Sequence, residues 1–183
     1  MKSSFRAILL VGSLLLTASM ASPQSPEAKS PAIPEADGYA SIPKAAVPPD
    51  AKRTYRAIFD ATRGADAPDQ LLPALNMAGS ELNAFAVARV PPRNVKFVVV
   101  FHGGALDGIL EEAHYRAKHG VGNPNLKVLS QMRKAGVELF VCGQNLLFAH
   151  VDPATLSPDV TVASDALIVL MAYQNDGYAL MSF

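Results

Sequence analysis

Hydrophobic positions along this chain follow two periods, and the places where one gives way to the other outline its elements. Tyr55-Arg56-Ala57-Ile58-Phe59 alternates apolar with polar or small residues and predicts a first strand. Val95 to Phe101, VKFVVVF, is valine-rich with little alternation, which is how a strand reads when helices cover both faces of its sheet. Val137 to Val141, VELFV, repeats that pattern, Val160-Thr161-Val162 is a short strand, and Tyr178 to Met181 follows the Asp176-Gly177 turn as the last.

Helical spacing fills the gaps. After a Gly64 to Pro68 breaker, Asp69 to Arg89 carries Leu71, Leu72, Leu75, Leu82, Phe85 and Ala86 on one loose apolar face, interrupted by Gly79 and ended by Pro91-Pro92. A second helix is expected over Gly108 to Lys118, with Asp107 as its N-cap. Asn123-Pro124 predicts a third start, Asn as N-cap and Pro in the first helical position, with Leu126, Leu129 and Met132 as buried stripe and Gly136 as stop. Gln144 to Ala149 and a stretch from a Ser164 cap to about Gln174 complete the set. Strands and helices in alternation predict a three-layer α/β domain over residues 52–183, with a mostly parallel sheet of about five strands.

The chain before residue 52 reads differently. Lys2 and Arg6, an apolar run from Ala7 to Leu16 and the small-large-small Ser19-Met20-Ala21 predict a secretory signal peptide over residues 1–21. Its apolar run is about ten residues, against the roughly 20 a helix needs to cross a bilayer, so export to the periplasm without a membrane anchor is expected. Residues 22–51 are dense in Pro, Ala and Ser and poor in large apolar side chains, which predicts a disordered linker. Sixteen basic residues balance sixteen acidic ones, so the charge footprint of a nucleic-acid binder is missing.

Two motifs fall at strand ends, where open α/β sheets gather ligands. His102-Gly103-Gly104 closes one strand and Cys142-Gly143-Gln144 the next. Cys142 is the only cysteine, so no internal disulfide forms and the thiol is left for other uses. Leading into a helix, it would feel unsatisfied N–H groups that favour a thiolate, and His102 from a neighbouring strand could take its proton. The competing reading is a small buried hydrophobe. The two glycines resemble an esterase oxyanion segment, but no G-x-S-x-G nucleophile elbow accompanies them, so a tight strand-to-helix turn is the expected role. His114 and His119 are five apart, on different helix faces, and Glu111-Glu112 reads as a solvated helix edge. Neither a metal nor a cofactor is expected, since no phosphate loop, GxGxxG, CxxC or CxxCH motif is present.

The order FVVVFHGGAL, a helix ending near NPNL, a leucine-bearing helix, AGVELFVCGQNL and a closing DGYALMSF resembles the DsrE/DsrF-like family. The likeness runs from about Tyr55 to Phe183 and is best over Val95 to Val151. It implies a flavodoxin-like fold in homo- or hetero-oligomers, commonly trimeric or hexameric, and a homo-oligomer is expected here. Its best-understood members carry sulfur as a persulfide on a cysteine at the position of Cys142, passing it between a donor and an acceptor protein. The expectation is a periplasmic sulfur carrier with sulfur-transfer activity. Cys142 and His102 form its reactive pair, and Gly103, Gly104, Gly143, Gln144 and Asn145 line its pocket. The alternative is a non-catalytic ligand-binding or assembly module in which Cys142 only packs.

Overall fold

The computed structural model describes residues 27–183, so the leader read at residues 1–21 lies outside the described residues. Five strands, β1 (Tyr55–Ala61), β2 (Val95–Phe101), β3 (Glu138–Cys142), β4 (Thr161–Ala163) and β5 (Ala179–Ser182), make one sheet in the order β4-β3-β2-β1-β5. Every pairing is parallel. The helices are α1 (Pro73–Val87), α2 (Glu112–His119), α3 (Asn125–Lys134), α4 (Gly143–Phe148) and α5 (Ala166–Asn175).

Alternation along the strands sorts the apolar side chains into two cores. Phe59, Phe97, Val99, Phe101, Leu139 and Val141 meet Leu75 of α1 and Leu129 and Met132 of α3 on one face. Ile58, Val98, Val100 and Cys142 meet Ala166 and Leu170 of α5 on the other. The valine run of β2 is fully buried from Val98 to Phe101 because both faces are covered, as its lack of alternation implies.

Helix starts differ from the expected ones by small, physical margins. Gly103–Ile109 is a 3-10 segment rather than the start of the second helix. Asp107 therefore caps nothing; its carboxylate pairs with Lys118 at 2.6 Å and His119 at 3.2 Å. Regular α3 starts at Asn125, but Pro124 already has helical dihedrals (φ −68°, ψ −19°) and the Asn123 side chain accepts from Asn125 N at 2.9 Å, the bond expected of a capping asparagine. Asp165 rather than Ser164 caps α5, accepting from Leu167 N at 2.7 Å. Gly79 does not break α1. It makes room for a neighbour, because a Cβ there would sit 2.5 Å from Ala36 Cβ.

That neighbour belongs to the stretch expected to be an unpacked linker. Lys29 and Tyr39 pair as an antiparallel bridge, and Ile33 between them is fully buried in the first core. Asn83 of α1, itself fully buried, accepts from Ala32 N and Ile33 N at 3.0 and 2.8 Å and donates to Ile33 O and Asp37 O at 3.0 and 3.1 Å. Lys127 of α3 pairs with Glu35. Ile33 and Ala36 in the core, the Asn83 amide, the Asn76 side chain on Asp37 and the Lys127–Glu35 pair thus dock residues 29–39, against a composition that otherwise reads as linker.

Candidate functional site

The chain leaves β3 for α4, whose Leu146 joins the first core, and leaves β4 for α5 on the opposite face. Adjacent parallel strands whose outgoing connections depart to opposite faces open a crevice at their carboxyl ends. Here that crevice has a volume of about 360 Å³. Its walls are His102 and Gly103 after β2, Cys142, Gln144, Asn145 and Phe148 along α4, and Asp165 to Leu167 at the start of α5.

Strand register brings the two expected site residues side by side. Phe101 pairs with Val141, so His102 and Cys142 leave adjacent strands side by side. His102 keeps an extended backbone (φ −158°, ψ 179°), which continues the alternation and turns its ring toward the face of Val98, Val100 and α5. Cys142 lies on that same face. It is the N-cap of α4 and is 6 % exposed, packed with Ile58, Val98, Val100, Ala166 and Leu170.

His102 is held by a residue that sequence reasoning did not single out. Its Nε2 lies 2.6 Å from Oδ1 of Asp60 in β1, with both side chains mostly buried. A carboxylate can only accept, so Nε2 carries the proton. Alternation puts Asp60 on the face of Ile58, but Arg56 lies on that face too, so nothing within YRAIFDA marks Asp60 out.

The glycine-rich turn has no free donors to offer a ligand. His102 N donates to Ala61 O at 3.0 Å, Gly104 N donates to Thr62 O at 2.9 Å, and Gly103 N donates to the Asn145 side-chain oxygen. An oxyanion role is thereby excluded, and Asn145 ties the β2 turn to α4 instead of reaching for a ligand. Gly104 turns away from Cys142 toward a second, smaller cavity of about 160 Å³ that Asp107, Tyr115 and His119 share. Gly143 is also outside the crevice wall; a Cβ there would meet Ala163 O at 2.6 Å, so only glycine lets α4 start this close to β4. Of the residues expected to line the pocket, Gly103, Gln144 and Asn145 do so.

The crevice mouth is apolar. Phe148 is 75 % and Leu167 is 62 % exposed, and Leu147, Val162, Ile168 and Met171 continue that surface over α4, β4 and α5. Tyr173 anchors α5 to the sheet by donating to Glu138 Oε2 at 2.9 Å, and burial, then that hydrogen bond, pushes its phenol well above the ordinary range. His114 pairs with Glu111 at 2.8 Å, away from the crevice. Among the described residues no three His, Cys, Asp or Glu side chains converge as a metal site would, and no helix is long and apolar enough to cross a membrane.

The sequence matches the DsrE/DsrF-like family over residues 56–183. No curated protein matches it. Among solved structures it is similar to MTH1491, a protein of unknown function from Methanobacterium thermoautotrophicum, with a TM-score of 0.54 and 17 % identity over 70 % of this chain and 99 % of that one. It is also similar to the ychN protein from E. coli, with a TM-score of 0.50 and 13 % identity over 71 % of this chain and 100 % of that one. At such identities the likeness is one of fold.

Proposed function

Because the chain belongs to the DsrE/DsrF-like family, which is tied to sulfur relay, we propose that it is a periplasmic sulfur carrier that holds sulfane sulfur as a persulfide on Cys142. The observation that carries this reading is the side-by-side emergence of His102 and Cys142 into one crevice at the point where the sheet's connections diverge. The leader-like residues 1–21 support the location, and a mature protein beginning at Ser22 is its mark.

The chemistry conserves oxidation state. His102 takes the Cys142 proton, Sγ attacks the outer sulfur of a donor persulfide, and the donor's S–S bond breaks. The departing thiolate recovers the proton from the imidazole. Net, a thiol and a persulfide exchange one sulfur atom, and no external oxidant or reductant is consumed. Discharge to an acceptor thiol runs the same steps in reverse.

Loading followed by discharge tests the reading. Protein treated with glutathione persulfide and freed of small molecules is expected to release about one thiocyanate per chain on adding cyanide, which strips sulfane sulfur and leaves the thiolate. Release at the level of a buffer blank overturns it. The second reading, a ligand-binding or assembly module, draws on a different observation: Cys142 is 6 % exposed among apolar side chains. Under it, sulfur never reaches the thiol in the folded protein.

We also propose that a second copy of the chain covers the apolar surface around the crevice mouth. Helix α5 is apolar on its outer side as well as its inner one, with Leu167, Ile168 and Met171 all exposed, a pattern that suits a helix buried on both sides. Leu167→Asp together with Met171→Asp is expected to convert an oligomer to monomer in sedimentation. A wild-type protein that sediments as a monomer contradicts the proposal.

A further inference from the structure

Three neighbouring strands each present one polar or nucleophilic side chain on the α5 face at their carboxyl ends: Asp60 on β1, His102 just after β2, and Cys142 at the end of β3. Beyond the exposed Arg56 and Lys96 at the amino ends of β1 and β2, the residues of that face below Asp60 and His102 are apolar and fully buried, namely Ile58, Val98 and Val100. Asp60 continues the same row and is mostly buried too, with its side chain 18 % exposed. A valine or isoleucine there would extend the core. A carboxylate in such a row is costly to desolvate unless it is paired, and its pairing partner is the His102 ring at 2.6 Å.

We infer that Asp60 is a positioning residue for His102. By accepting the Nε2 proton it fixes the ring tautomer, leaves the lone pair on Nδ1 for the crevice that holds Cys142, and steadies the imidazolium formed when the thiol gives up its proton. Asp60 itself is never protonated in the cycle. The S–H bond of Cys142 breaks, an N–H bond forms at Nδ1, and the sulfur attacks its electrophile. That nitrogen then returns the proton to the leaving group. The order carboxylate, imidazole, thiol across three adjacent strands is the nucleophile, base and orienting group of covalent catalysis, laid out along a sheet edge.

The inference rests on the carrier reading for its biological use, but its chemistry is open to any soft electrophile, and iodoacetamide is the probe. In the folded wild-type protein at pH 7, replacing Asp60 by Asn is expected to slow alkylation of Cys142 by about tenfold or more, the scale of losing a correctly presented general base. The amide keeps the size of the carboxylate yet can donate to Nε2, which moves the ring proton to Nδ1 and removes the lone pair that the proposed proton transfer needs. His102→Gln is expected to slow the reaction to a similar extent, and the Asp60→Asn/His102→Gln double variant no further than either single change.

A readout that a purely structural aspartate would not move is the tautomer itself. Long-range nitrogen–proton correlation spectra are expected to show His102 protonated at Nε2 in the wild type and at Nδ1 in Asp60→Asn. Wild-type His102 protonated at Nδ1 overturns the inference without any variant having to fold. An Asp60→Asn protein that alkylates at the wild-type rate also overturns it. The two readings fail separately. Alkylation that depends on Asp60 in a protein that takes up no sulfur removes the carrier function and keeps the positioning role, whereas sulfur uptake indifferent to Asp60→Asn does the reverse.

Discussion

Cys142→Ser is expected to abolish sulfur loading completely while the fold survives. The hydroxyl is a far weaker nucleophile than the thiolate and forms no persulfide, so neither thiocyanate release nor a reductant-sensitive mass gain remains. The structural cost is modest. Residue 142 is the N-cap of α4 with no side-chain cap hydrogen bond, and serine is well suited to that position. Against this, the side chain packs among Ile58, Val98, Val100, Ala166 and Leu170, where a hydroxyl without a partner costs about 1–3 kcal/mol. Cys142→Ala removes the thiol without that penalty and is expected to behave alike in loading. The check is intact mass after persulfide treatment beside circular dichroism of each variant. Loading that persists in both would place the sulfur elsewhere and remove Cys142 from the mechanism.

Asn83→Ala is expected to have the largest effect on stability of any single polar change. All four hydrogen-bonding positions of this fully buried amide are used, two accepting from Ala32 N and Ile33 N and two donating to Ile33 O and Asp37 O. Truncation strands the Ala32 and Ile33 amides and the Asp37 carbonyl at once, leaves Ile33 O with Ala36 N alone, and opens space beneath Ile33. A loss of about 3 kcal/mol follows from the usual cost of unmade buried hydrogen bonds, which corresponds to roughly 6–12 °C in melting midpoint for a domain of this size. Released from α1, residues 29–39 are also expected to become the first site of limited proteolysis. A midpoint within 1 °C of wild type, our chosen threshold at about a quarter to a half kcal/mol, would mean that the docked segment contributes nothing to the fold.

The sheet was legible because its central strands are unambiguous. VKFVVVF and VELFV have the apolar runs that only a doubly covered sheet accommodates, and both form strands within a residue of the expected bounds. The position of Cys142 and His102 at strand ends followed from those two runs. Their adjacency did not, because it depends on β2 pairing with β3 rather than with another strand, a long-range choice that neither run encodes locally.

Asp60 was hidden for a related reason: its partner is 42 residues away in sequence. Nothing local distinguishes it from a solvent-facing strand residue. The glycines misled in a different way, since Gly104 and Gly143 serve close backbone approach and not the crevice wall. Residues 29–39 escaped notice because linker composition is judged over a window, whereas the docking there is carried by Ile33, Ala36 and two asparagines from another element, Asn76 and Asn83. Cap positions moved by one residue where two candidates stood together, as at Ser164-Asp165, and the carboxylate, able to accept from two amides at once, took the position.

The central claim is that Cys142 accepts sulfur in the folded state although it is almost fully covered. The most direct test is the intact mass of the native protein after brief exposure to glutathione persulfide, read beside the same protein in denaturant and again after reductant. The account predicts a gain of one sulfur atom in the native sample, located at Cys142 and removed by reductant. A native protein whose mass is unchanged, while the denatured chain gains sulfur at the same cysteine, would contradict it and leave Cys142 as a packed core residue.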